Sequence, residues 1–207
     1  MANQVSLLSY FEVALPAIPI NPPPRSGPNT QNDAYSHRDI RAIGVWEDFN
    51  LANIIQTYGP ALTTPFLPAE QLSTSPPRAI SSENALRQRI GERVSPRIRR
   101  SLFSGFGHLA AMNQMNGLTS ASFDPNWKWS TAMATGGTRA RQEYRQALSQ
   151  VNWHMKQHHR KYSFVLTDKE LVALYRPIPW ETGGTAASPQ PTVPLALWYI
   201  GMLATQD

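Results

Sequence analysis

The residues best equipped for chemistry are a few carboxylates, one lysine and two arginine-rich stretches. A metal-assisted phosphodiesterase holds magnesium with one or two carboxylates plus water and phosphate, and a nearby lysine steadies the attacking water or the developing charge. Asp124 and Lys128 can offer one group of each kind, with Glu83 or Glu143 as helpers from helices. Against this stands a scarcity of acids. Between Asp48 and Asp124 the acids are Glu70, Glu83 and Glu92, and none lies from Arg93 to Phe123. One carboxylate rarely builds a dependable magnesium site. Asp124-Pro125 also reads as a plain turn.

Other chemistries have less to work with. His154 and His158 are one helical turn apart, a possible metal pair, but no third ligand is evident and Lys156, Arg160 and Lys161 oppose a cation. That stretch reads as a charged, solvated helix end. Gly136-Gly137-Thr138-Arg139 opens a helix without a phosphate-loop pattern. The chain contains no cysteine, which excludes disulfides, thiolate zinc sites and a cysteine nucleophile and favours an intracellular setting.

The charge balance points to an anionic partner. The net charge is +5, and fifteen of the nineteen basic residues are arginine, whose planar fork suits phosphate and carboxylate. Seven arginines lie between Arg78 and Arg100 against Glu83 and Glu92. A second group comprises Arg139, Arg141, Arg145, Lys156, Arg160 and Lys161. Arg87, Arg93, Arg139, Arg141 and Arg145 are the candidate nucleic-acid contacts; the alternative is a solvated helix face.

These residues need elements to position them. Six prolines precede Asp33, so residues 1–40 are expected to be a disordered arm, removable at little cost in stability. Helical spacing predicts a helix over 45–58, stopped by Gly59-Pro60, then a proline-rich linker to 79. A second helix starts at Ser81 or Ser82, with Glu83 in its first turn, and breaks or restarts at Pro96. The longest helix runs from about Thr138 to His158, with Tyr144, Leu148, Val151 and Met155 on one stripe. A strand over 163–167, a tight turn at Asp168-Lys169 and a strand over 171–175 follow. Thr192-Val193-Pro194 opens a last helix that is apolar nearly all round and therefore buried. Leu148, Val151, Phe164, Leu166, Leu171, Leu197 and Trp198 are expected to share one core. No stretch reaches the ~18 apolar residues of a membrane span.

Several segments resemble a family of fungal PD-(D/E)XK nuclease-like proteins. They are Trp127-Lys128-Trp129, then Glu143 to Val151, Tyr162 to Val172, Pro177-Ile178-Pro179-Trp180 and Leu195 to Ala204. The resemblance covers roughly residues 122–204. It implies an α/β (α+β) fold with a restriction-endonuclease-like core, a mixed sheet flanked by helices, over 80–207. It implies that Gln146 and Gln150, one turn apart, can approach a metal or the scissile strand; they also fit as polar positions beside the core stripe. It places the acid-x-lysine triplet near Ser122-Phe123-Asp124, with serine where the acid belongs and aspartate where the lysine belongs.

The expectation is a catalytically degenerate, intracellular nuclease-like protein that binds nucleic acid or another protein, with no membrane partner and no cofactor. Magnesium enters only if a displaced site at Asp124, Lys128, Gln146 and Gln150 is active. A supporting role in a fungal specialised-metabolite pathway follows from the resemblance alone.

Overall fold

The computed structural model describes residues 4–13, 17–24, 27, 29, 31–63, 66–69, 78–106, 122–123, 126, 128–176 and 191–204. Its heart is a three-stranded sheet of β3 (Ser122–Phe123), β4 (Tyr162–Leu166) and β5 (Leu171–Tyr175), in that spatial order. β3 runs parallel to β4, and β4 antiparallel to β5, so the sheet is mixed. Helix α5 (Thr138–Gln157) lies in the connection between the parallel pair. The fold is thus α+β, as expected.

Side chains on a strand point to alternate faces, and β4 uses both. Phe164 and Leu166 enter a large cluster with α6 (Val193–Leu203), whereas Val165 enters a smaller one with Leu148, Val151 and Met155 of α5. The residues expected in one core are therefore divided by the sheet. Leu171 and Ala173 pack on the α6 side, Val172 and Leu174 on the α5 side. The result is a helix–sheet–helix sandwich.

Local signals set the helix ends. Ser82 caps α3 (Glu83–Arg93) by accepting the Ala85 amide at 3.2 Å. Helix α4 (Ser95–Phe106) then begins, with Pro96 in its first turn, where the missing amide costs little. Thr192 caps α6, which carries buried residues from Pro194 to Met202. Gly201 lets α4 approach closely, since a Cβ there would lie 3.1 Å from Leu102. α5 ends with His159 in the left-handed region (φ 52°) and the Arg160 amide on the Met155 carbonyl at 2.8 Å.

Two expectations need correction. The helix expected over 45–58 is α2 (Leu51–Thr63). Asn50 starts it by accepting the Asn53 amide on its side chain at 2.9 Å, and it continues through Gly59-Pro60. Ile54, Tyr58 and Leu62 recur every four residues and are all buried. Burial of Leu62, at 0% exposure, carries the helix past a proline that would otherwise end it.

The N-terminal residues are not a solvated arm. β1 (Gln4–Ser6) pairs antiparallel with β2 (Phe66–Pro68), and Leu7, Tyr10 and Phe11 of α1 (Leu7–Glu12) are buried. Ile20 forms a parallel bridge to Ile80. Buried Asn29 donates its backbone amide to Glu143 Oε2 at 2.9 Å. Tyr35 packs against Trp153 of α5. One cluster runs from Leu7 to Met202, so residues from all three stretches marked out by composition share it.

A six-residue helix is marginal alone, and its fixing point is Arg97 of α4. Arg97 is 1% exposed. It donates from Nη1 to the Val13 carbonyl at 2.9 Å and from Nη2 to the Tyr10 carbonyl, with its guanidinium 4.7 Å from the Tyr10 ring centre. A cation at the negative end of a helix is favourable. Thr192 Oγ1 donates to the Phe11 carbonyl at 3.0 Å, so the residue that caps α6 also caps α1.

Removing residues 1–13 should therefore lower the unfolding free energy by at least ~4 kcal/mol, from loss of three buried side chains at ~1.5–3 kcal/mol each; chemical denaturation measures it, and a change under ~0.5 kcal/mol would restore the arm. Leu148→Ala in the smaller core should cost ~2–5 kcal/mol by the same measurement.

Candidate functional site

The corner where α3 meets the residues after β3 gathers part of the expected chemistry. Lys128 Nζ lies 3.5 Å from Glu83 Oε2, and Arg87 Nη2 lies 3.3 Å from Glu83 Oε1. Glu83 is placed by the Ser82 cap, which fixes the first turn of α3. Lys128 is placed by clamps on either side. The Asn126 amide donates to Asp168 Oδ1 at 2.7 Å. Thr131 donates its amide to Glu170 Oε1 at 2.9 Å and its hydroxyl to Oε2 at 2.7 Å. Between them Trp129 is wholly buried, stacked on Tyr144, with its indole N–H on the Tyr144 carbonyl at 3.1 Å. Asp168 and Glu170 thus tie the Lys128 segment to the β4–β5 turn. In the sequence Asp168 reads only as a turn residue, and Glu170 has no role of its own.

The other candidates are distributed as follows. Asp124 lies outside the described residues. Gln146 is buried on α5 and Gln150 is half-buried one turn on. Glu143 is engaged by Asn29 at both its carboxylate and its backbone carbonyl. Of the two carboxylates that could assist Lys128, Glu83 is therefore beside it and Glu143 is held elsewhere. Among the described residues, no three His, Asp or Glu side chains converge as a metal site. His154 and His158 face each other with ring centres 6.5 Å apart. Burial of His154, then its neighbour His158, pushes the His154 imidazole below its usual pKa.

The arginines do not form one surface. Arg97 is buried. Arg87 is exposed but paired, Arg93 half-buried, and Arg99 and Arg100 exposed on α4. Arg139, Arg141 and Arg145 are exposed on the first turns of α5, with Arg141 donating to the Gly136 carbonyl at 2.8 Å. α3 and α4 belong to the core on the α6 side of the sheet and α5 to the core on the other. The sheet stands between the arginines of α3 and α4 and those on the first turns of α5.

A second site has no counterpart among the sequence motifs. A cavity of about 1060 Å3 lies along the β5 edge of the sheet. One wall is residues 39–48; the opposite wall is Ala173 to Arg176. Leu148, Asn152 and Met155 of α5 close one side, and Tyr199 and Leu203 of α6 the other. Trp46 stacks on Tyr162 (ring centres 5.7 Å apart) and packs on Tyr175 at 5.4 Å, holding the 39–48 segment against the sheet. Asp39, Arg41, Glu47 and Asp48 of the first wall and Arg176 of the opposite one bring charged side chains to this space. Its residues are remote in sequence, so local patterns could not announce it.

Tyr199 is the perturbed group of this cavity. Burial chiefly, then the neighbouring Tyr58, Asp48 and Tyr162, push its phenol up from 10.0 to about 12, partly offset by a hydrogen bond from Asn53. A phenol whose pKa is higher folded than unfolded contributes stability that is complete below pH 10 and is lost as pH rises towards 12. Denaturation midpoints across that window should fall by an amount on the order of 3 kcal/mol, and Tyr199→Phe should remove that share of the fall. An unchanged pH dependence in Tyr199→Phe would contradict the assignment.

No family model, curated protein or solved structure matches the chain.

Proposed function

We propose that this chain is a nuclease-like protein of the PD-(D/E)XK type that binds a nucleic acid or a protein without cutting it. The observation that carries this reading is the state of Glu83. The carboxylate that reaches Lys128 has both oxygens committed to cations, Arg87 on one and Lys128 on the other. A divalent ion would have to displace them. The mixed sheet between helix layers, with α5 connecting the parallel pair β3 and β4, supports the nuclease-like part of the reading.

One observation favours a second reading. A lysine 3.5 Å from a carboxylate is half of a displaced metal site, which Asp124 would have to complete. The two readings differ in a cleavage assay with single- and double-stranded DNA and RNA in magnesium or manganese. The expected outcome is no cleavage. Cleavage abolished by Lys128→Ala or Glu83→Gln would establish the displaced site instead.

Nucleic-acid binding, where present, runs through exposed guanidinium groups of α5 to phosphates. Such contacts position a strand without reading sequence, and counterion release makes affinity fall steeply with salt. Oligonucleotide titrations at two salt concentrations should show weak, sequence-insensitive binding. Arg139→Ala and Arg145→Ala should each reduce the salt slope by about 1. No binding at low salt would leave protein as the partner.

A further inference from the structure

We propose that the cavity along β5 is a docking slot for one extended strand of a partner protein, in which apolar β-branched residues alternate with arginine or lysine. This goes beyond the nuclease-like reading and does not depend on it. Two independent features meet here, a strand edge with no partner among the described residues and a cavity of matching size beside it.

The edge follows from the hydrogen-bond alternation. In an antiparallel pair, every second residue of a strand directs its backbone groups at its partner. The Arg176 amide donates to the Lys161 carbonyl at 2.9 Å, and the Thr167 amide to the Glu170 carbonyl at 2.8 Å. With Tyr162 opposite Tyr175 in the register, Val172 and Leu174 turn their backbones towards β4. Leu171, Ala173 and Tyr175 turn theirs outward. Among the described residues β5 pairs with β4 alone, so these N–H and C=O groups are unpaired. Unpaired strand edges are templates for adding a strand.

The space beside the edge fits a strand. A strand rises ~3.3 Å per residue, lies ~4.8 Å from its neighbour and needs ~10 Å between covering layers, so four residues fill roughly 630 Å3. The cavity holds about 1060 Å3, leaving room for long side chains. It also continues the sandwich, with α5 residues above and α6 residues below the level of the sheet. A second copy of this chain does not fit. Its own β5 lies between its own α5 and α6 and is too thick to enter under the 39–48 segment.

The walls choose the occupant's side chains. Towards α5 an added strand meets Leu148, Met155 and Leu174, which favour apolar residues. Towards α6 it meets the Tyr199 hydroxyl, Asn53 and Asp48, beside the indole of Trp46. Asp48 has no ion-pair partner among the described residues. An arginine or lysine can reach that carboxylate, and a guanidinium can also lie on an aromatic face.

The test is a titration of the full chain with a hexapeptide alternating valine and arginine, followed by calorimetry and by tryptophan fluorescence compared with that of Trp46→Phe. Three controls accompany it: two peptides N-methylated on alternate amides, one in each phase, and a glutamate-for-arginine peptide. Saturable binding, retained by one N-methylated phase and lost by the other, is the expected result, because only one row of amides faces β5. Ala173→Pro removes an outward N–H that the fold does not use; it should leave the melting temperature unchanged and weaken binding about tenfold. Asp48→Asn should weaken it and flatten its salt dependence. Binding that tolerates both N-methylated phases, survives Ala173→Pro or prefers the glutamate peptide would overturn the proposal. So would the absence of binding at millimolar peptide.

Discussion

A single buried guanidinium organises the N-terminal half of this molecule. Burying a charge is costly unless it is met by hydrogen bonds, and Arg97 is met by carbonyls at the C-terminal end of α1 and by the Tyr10 ring. The same helix end takes the Thr192 hydroxyl, which also caps α6. α1, α4 and α6 are thereby locked together, although they come from the beginning, middle and end of the sequence. α1 packs against α2, and residues 46–49 just before α2 bring Trp46 and Phe49 against the aromatic side chains of the sheet and α6. The outer wall of the β5 cavity therefore depends, through these contacts, on one arginine in α4.

This use of Arg97 changes the meaning of the arginine-rich stretch. A run of seven arginines suggests an anion-binding face, but one is a core residue, another is tied to Glu83, and the rest stand across the sheet from the basic turns of α5. The charge is real and its distribution is divided. The corner between α3 and the residues after β3 is equally committed: Lys128 is well held, and the carboxylate beside it is paired with Arg87 as well. The space at the sheet edge, by contrast, combines backbone groups and a carboxylate that have no partner among the described residues.

The elements legible in the sequence are those whose signals are local. α5, the β4–β5 hairpin, the Ser82 cap and the all-apolar α6 follow from periodicity, turn residues and caps a few positions apart. α1 was also legible in principle: Ser6 caps it, and Leu7, Tyr10 and Phe11 have helical spacing. The prolines that follow outweighed this short signal. The passage of α2 through Pro60 depends on the burial of Leu62, which is a tertiary fact. The division of the core into two depends on which strand face each helix covers, and periodicity does not say. At the candidate site, the types and positions of Lys128 and Glu83 were readable, but not their 3.5 Å approach. The cavity joins residues 39–48 to residues 173–203, a separation that no local pattern spans.

The open edge and the docking of α1 on the core are tested most directly by amide hydrogen exchange on the free full-length protein. Ala173 and Tyr175 should exchange rapidly while Val172 and Leu174 are protected, and Tyr10 and Phe11 should be protected with the core. Protection of Ala173 and Tyr175 in the free protein would mean that the edge is already covered, and exchange of Tyr10 and Phe11 at unfolded rates would mean that α1 does not hold the wall.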